Sequence, residues 1–82
     1  MLKDLSKSEQ IITDEATDTV TYIGYAQAEV KKSEPSWIIK RISYTYNAQS
    51  IRGLIVTEWA TGYMNETNIW DDRTSLSYTN HV

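Results

Sequence analysis

The chain contains no cysteine, which rules out a disulfide staple and any thiolate ligand. Its only histidine is His81, so neither a structural zinc site nor any other metal or cofactor site is expected. Phenylalanine is absent as well. The three glycines, Gly24, Gly53 and Gly62, lie too far apart to form a phosphate-cradling loop. No apolar run approaches the roughly 20 residues that a membrane helix needs. The N-terminal residues carry acids where a signal peptide would carry an apolar stretch. The expectation is a soluble protein made in the cytoplasm, with no membrane partner.

Eighty-two residues allow one domain, taken as 1–82. A chain of this size buries only roughly 60–65% of its unfolded surface, so its single core gains from partners or oligomerisation. Charge is unevenly spread. Residues 1–35 hold seven acids and four lysines, whereas residues 36–82 hold four acids and four bases. An acidic front half repels a phosphate backbone, so nucleic acid is not an expected partner, and Lys40, Arg41 and Arg52 offer only a small local patch. The acidic half reads as a solvated face or as a contact for a basic partner.

The dominant texture is β. Residues 1–18 read as an arm followed by a short strand at 10–13, and residues 19–79 as the β core. TVTYIGY (19–25) alternates, and its Gly24 signals a bulge or a close backbone approach. AQAEVKKSEPS (26–36) lacks a period and holds the only proline, so it reads as a surface loop. SWIIKRISYTY (36–46) is the clearest strand, with Trp37, Ile39 and Arg41 on one face and Ile38, Lys40, Ile42, Tyr44 and Tyr46 on the other. Apolar groups on both faces indicate a central strand. A turn at 47–50 leads into IRGLIVTEWA (51–60), completing a hairpin. The last strand is expected at 75–79. Together these four or five strands predict an all-β fold, a small antiparallel sandwich or open barrel with an N-terminal arm that can hold one helical turn, and no further helix.

Candidate chemistry is sparse. Asp71 and Asp72 are adjacent acids, but neighbours on a strand point to opposite faces, so adjacency alone does not build a carboxylate pair. Trp70-Asp71-Asp72-Arg73 reads better as a turn in which an aspartate caps its own backbone and Arg73 forks onto a carboxylate. His81 sits too near the terminus to be preorganised. No serine lies in a nucleophile elbow. Asn65-Glu66-Thr67 fits the glycosylation acceptor pattern and is read as loop sequence. Three tryptophans and six tyrosines are a heavy aromatic load, suited to core and interface or to a ligand-stacking platform. Trp37, Trp59, Trp70, Asp72, Arg73 and Tyr78 are the candidate interface residues; no catalytic, cofactor or metal residue is assigned.

YIGYA (22–26), SWIIKRI (36–42), VTEWATG (56–62) and NIWDDRTSLSY (68–78), in that order, resemble a group of small virion structural proteins of tailed bacteriophages. The loop after Ala26 departs from that group's short Gly-rich, Ala/Ser-rich insert. The resemblance implies a virion component made in the host cytoplasm, a tail or head–tail/fibre adaptor that assembles in several copies with other virion proteins, and not an enzyme. A capsid decoration protein and a carbohydrate-binding module are the alternatives. A host-directed regulator bound through the acidic front is a further class.

Overall fold

The computed structural model describes residues 5–46, 48, 49 and 52–80, with Arg52 described for its backbone alone. Leu2 of the expected arm, half of the expected turn at 47–50, and His81 lie outside these residues. Six strands form an antiparallel sheet: β1 (Gln10–Thr17), β2 (Val20–Ala26), β3 (Pro35–Tyr46), β4 (Arg52–Ala60), β5 (Asn68–Ile69) and β6 (Tyr78–Asn80). The spatial order is β1-β2-β3-β4-β6, and β5 pairs with the start of β3. The all-β expectation therefore holds, with β3 at the centre.

Some elements differ from the sequence reading. β1 extends to Thr17 instead of stopping at Thr13 and is a full partner of β2. Its side chains alternate between half-buried and exposed as far as Asp14, which lets an edge strand carry the acids that β propensity disfavours. The expected last strand at 75–79 is shorter and lies later, as the three residues of β6, and the expected turn before it is a 3-10 helix, Trp70–Ser75. In the arm, the described residues include a 3-10 turn, Leu5–Lys7, in line with the expected helical turn.

Alternation sorts the side chains onto two faces. On the first face, Tyr22, Ala26, Trp37, Ile39, Ala60 and Trp70 form a buried cluster, flanked by Ile12, Val20, Val30, Leu76 and Tyr78. Chain 70–78 folds over this face and supplies Trp70, Leu76 and Tyr78. On the second face Tyr25, Ile38 and Trp59 are buried, with Leu5, Ile23 and Met64 packed against them. Ile38 and Ile39 are neighbours in β3 and are exposed by only 0% and 1%, so the sheet is covered on both sides at its centre. The cover does not reach the far end. Twelve residues of β3 at about 3.4 Å each give a strand of about 40 Å, and the molecule measures 43 × 25 × 24 Å. Beyond Tyr44, whose N–H donates to the Thr19 carbonyl at 2.9 Å, β3 leaves β2 behind and continues with β4 as a projecting hairpin.

Candidate functional site

Most of the sequence-predicted site residues converge on the first face. Trp70 begins the 3-10 helix and is exposed by only 2%. Its indole lies over Gly24 so closely that a Cβ at that position would be 2.6 Å from Trp70 Cε3. Gly24 is thus the close backbone approach that its place in a strand suggested. Trp37 packs against Trp70 with ring centroids 5.9 Å apart, and its Nε1–H donates to the Lys31 carbonyl at 2.9 Å. Asp71 N–H donates to the Lys32 carbonyl at 3.1 Å, tying the 3-10 helix to the loop before β3.

Arg73 pairs with a carboxylate, as expected, but the partner is Asp14 of β1 and not a neighbour in the turn. Its Nε donates to Asp14 Oδ2 at 2.9 Å, its Nη1 donates to the Trp70 carbonyl at 3.2 Å, and its guanidinium lies 4.6 Å from the Trp70 ring centroid. The reason is geometric: the 3-10 turn leaves Asp71 and Asp72 exposed, while Arg73 turns inward over Trp70 to β1. Tyr78 O–H donates to the Arg73 carbonyl at 2.7 Å and locks the far end of the segment. Arg41 lies 4.5 Å from the Tyr78 ring and donates to Glu58 at 2.8 Å, both side chains coming from the first face. Burial pushes the Tyr78 phenol pKa well above its ordinary value and Tyr22 adds to the effect, against partial relief from Arg41 and Arg73. The hydrogen bond that Arg41 donates to Glu58 raises the pKa of Arg41.

Trp59 stands apart on the second face, 8% exposed, with Tyr63 packed edge-on at 5.1 Å. Lys40 Nζ lies 5.4 Å from the Tyr25 ring and 5.7 Å from the Trp59 ring. Lys40 and Arg41 therefore serve opposite faces and do not pool their charge. A groove of about 440 Å³ on the same face is lined by Glu15, Ala16, Thr17, Asp18, Thr21, Tyr44 and Tyr46. Of the six candidates, then, Trp37 and Trp70 are core, Trp59 and Tyr78 are largely so, and Arg73 and Asp72 lie on the covering segment, with only Asp72 fully exposed.

Sequence reasoning missed Asn68. It is exposed by only 3%, and its Nδ2 donates to the carbonyls of Asn65 (2.8 Å), Trp37 (3.3 Å) and Ala60 (3.3 Å), while its Oδ1 accepts from Thr61 Oγ1 at 2.9 Å. This one amide joins the β4–β5 loop to both β3 and β4. It also holds Thr61, a β-branched residue at φ 55°, in a left-handed conformation that such residues rarely adopt. The only trace of it in the sequence is an asparagine placed where a strand would disfavour one.

Among the described residues, no group of three or more His, Cys, Asp or Glu side chains converges as metal ligands. What the geometry can do is hold surfaces. The first face is closed by the Trp70–Arg73–Tyr78 segment, whereas Tyr46, Leu54 and Ile55 remain 41%, 59% and 55% exposed on the projecting hairpin. The chain matches no family model, no curated protein and no solved structure.

Proposed function

We propose that this chain is a structural protein of a bacteriophage virion, a tail or head–tail/fibre adaptor component that acts by multi-copy assembly with other virion proteins. The observation that carries the reading is where the segments of the phage resemblance lie. Gly24, Trp37, Ala60, Trp70 and Tyr78, drawn from all four segments, pack into one unit on the first face. Their chemistry is spent on packing, so what they carry over is a scaffold. The exposed apolar residues of the β3–β4 hairpin give that scaffold a surface to assemble through.

The test is mass spectrometry of purified particles of the phage that encodes the chain, with stoichiometry against the major capsid protein. A small copy number, of the order of one symmetric ring, supports the adaptor reading. A copy number close to that of the capsid protein transfers the chain to capsid decoration. Absence from particles, with the protein abundant in the infected cell, overturns the virion reading.

A further inference from the structure

The two long edges of the sheet are built differently. β1 forms one edge, and its register with β2 is irregular between Asp14 and Thr17. It carries Asp14 and Glu15 within the strand and Asp18 just after it. Acids and bulges are the means by which natural sheets blunt an edge. At the other edge, β6 pairs only with Glu58, Trp59 and Ala60 of β4. On the side of β4 away from β3, no described strand pairs with residues 53–57, the stretch Gly-Leu-Ile-Val-Thr, which has no charge and no proline.

Two hydrogen bonds fix which backbone groups face outward. Leu54 N–H donates inward to Thr45 Oγ1 at 2.9 Å, and Thr61 N–H donates outward to the Ser77 carbonyl at 2.8 Å. Backbone groups alternate along a strand, so Leu54 and Val56 face β3, while Gly53, Ile55 and Thr57 present their N–H and C=O groups to the open edge. Beside them Leu54 and Ile55 are 59% and 55% exposed, on opposite faces of the sheet. This edge is a template for another strand.

We infer that the occupant is a second copy of the chain, paired antiparallel through residues 53–57 about a two-fold axis at Ile55. This deepens the assembly reading above and rests on it for the choice of another copy as partner. The stretch is complementary to itself. The axis sets Ile55 opposite Ile55, Leu54 opposite Val56 and Gly53 opposite Thr57, so apolar residues meet across both faces and no like charges oppose. The outward groups of Gly53, Ile55 and Thr57 all find partners in this register. It stops one residue short of Glu58, where Asn80 already stands.

The absence of cysteine makes the register directly testable. Directly opposed residues that exchange both hydrogen bonds have Cα atoms about 5.5 Å apart, inside the range a disulfide spans. Ile55→Cys is expected to form a disulfide-linked dimer on mild oxidation. Leu54→Cys is not, because the two Leu54 positions are offset by two residues and exceed the roughly 7 Å limit for bridging. Crosslinking of Leu54→Cys in preference to Ile55→Cys overturns the register.

Sedimentation velocity of the purified chain over a concentration series is expected to show a monomer–dimer equilibrium. Ile55→Lys, at an exposed position, shifts it to monomer with the far-UV circular dichroism unchanged. A wild type that stays monomeric throughout, or an Ile55→Lys chain that dimerises equally, overturns the proposal. A copy entering here needs the edge that any continuation of β6 past Asn80 would follow. Removal of residues 81 and 82 is therefore expected to preserve or strengthen self-association, and loss of the dimer on removal overturns the proposal. These readouts use the isolated chain, so they fail or succeed independently of whether the protein is found in particles.

Discussion

Gly24→Ala inserts a single methyl group where the structure has no room for one. The new Cβ lies 2.6 and 2.8 Å from Trp70 Cε3 and Cζ3, and 3.0 Å from Ile12 Cγ2. Carbon atoms settle at about 3.5–4.0 Å, so the overlap with the indole is about 1 Å. The indole cannot simply retreat, because Trp37 packs on it and the Arg73 guanidinium lies 4.6 Å from its centroid. Overpacking a filled core costs about 1–3 kcal/mol. Replacing glycine by alanine returns about 0.4–1 kcal/mol by restricting the unfolded chain. With displacement of the covering segment added to the overlap, the net loss is expected to be about 2 kcal/mol. For a domain of this size that lowers the melting temperature by about 8–16 °C.

Gly53→Ala is the matched control. Its Cβ meets only Thr45 Oγ1 at 3.7 Å and the Thr45 carbonyl oxygen at 3.8 Å, ordinary contacts. The same change of residue in the same sheet is therefore expected to be neutral or to stabilise by up to about 0.5 kcal/mol. Urea unfolding followed by tryptophan fluorescence measures both variants. Combining Gly24→Ala with Trp70→Leu closes a double-mutant cycle, with a coupling of about 1–2 kcal/mol expected from relief of the clash. If Gly24→Ala proves as stable as Gly53→Ala, or shows no coupling to position 70, the argument that Trp70 closes the first face through Gly24 is refuted.

Other expected outcomes follow from the same contacts. Asn68→Ala removes an amide bonded to three carbonyls and to Thr61 Oγ1, and equilibrium unfolding should record a loss of about 2–4 kcal/mol. The raised Tyr78 pKa means that the folded state resists losing the phenol proton, so the unfolded chain binds fewer protons above about pH 10. Stability from this group is present in full below that pH and declines above it. Tyr78→Phe should lose the bond to the Arg73 carbonyl at neutral pH and flatten the alkaline decline, as read from denaturation midpoints between neutral and alkaline buffer. Arg73→Ala should cost more than Asp14→Asn, about 1–2 against about 0.5 kcal/mol, because the half-exposed ion pair is worth little while the guanidinium also covers Trp70 and bonds its carbonyl. Equal losses in the two variants, measured by thermal melting, would show that the ion pair alone matters.

The β3–β4 hairpin is legible in the sequence because alternation is a local signal: neighbours point to opposite faces, and the parity of Trp37, Ile39 and Arg41 against Ile38, Lys40 and Ile42 follows from spacing alone. The same holds for Leu54, Val56 and Glu58 against Ile55, Thr57 and Trp59. Gly24 was legible as a close approach, but not what approaches it, since Trp70 lies 46 positions further along the chain. Arg73 shows the limit more sharply. Two carboxylates stand beside it in sequence, yet it reaches Asp14 across 59 positions. Local spacing does not say which carboxylate it takes, and a 3-10 turn, which spacing does not signal, directs the guanidinium to Asp14. Asn68 fails for the same reason, because its three carbonyl partners belong to a loop, β3 and β4 and assemble only in the fold.

The two halves of the hairpin then explain each other. In its first half β3 is flanked by β2 and by β5 or β4, covered by Trp70 on one face and by Leu5 and Met64 on the other, so Trp37, Ile38 and Ile39 are exposed by no more than 1%. The covering segment is short, and β6 spans only three residues of β4. The second half of the hairpin therefore lies past the covering segment and β6, yet the chain places the exposed Leu54 and Ile55 there. Polar residues would cost the monomer nothing at those positions. Apolar residues on an open, uncharged edge serve an arrangement in which the edge is filled, while the opposite edge carries the acids that discourage pairing. In the dimer proposed above, this asymmetry gives the sheet a single direction in which to pair with its own copy, and a two-fold junction closes after one addition.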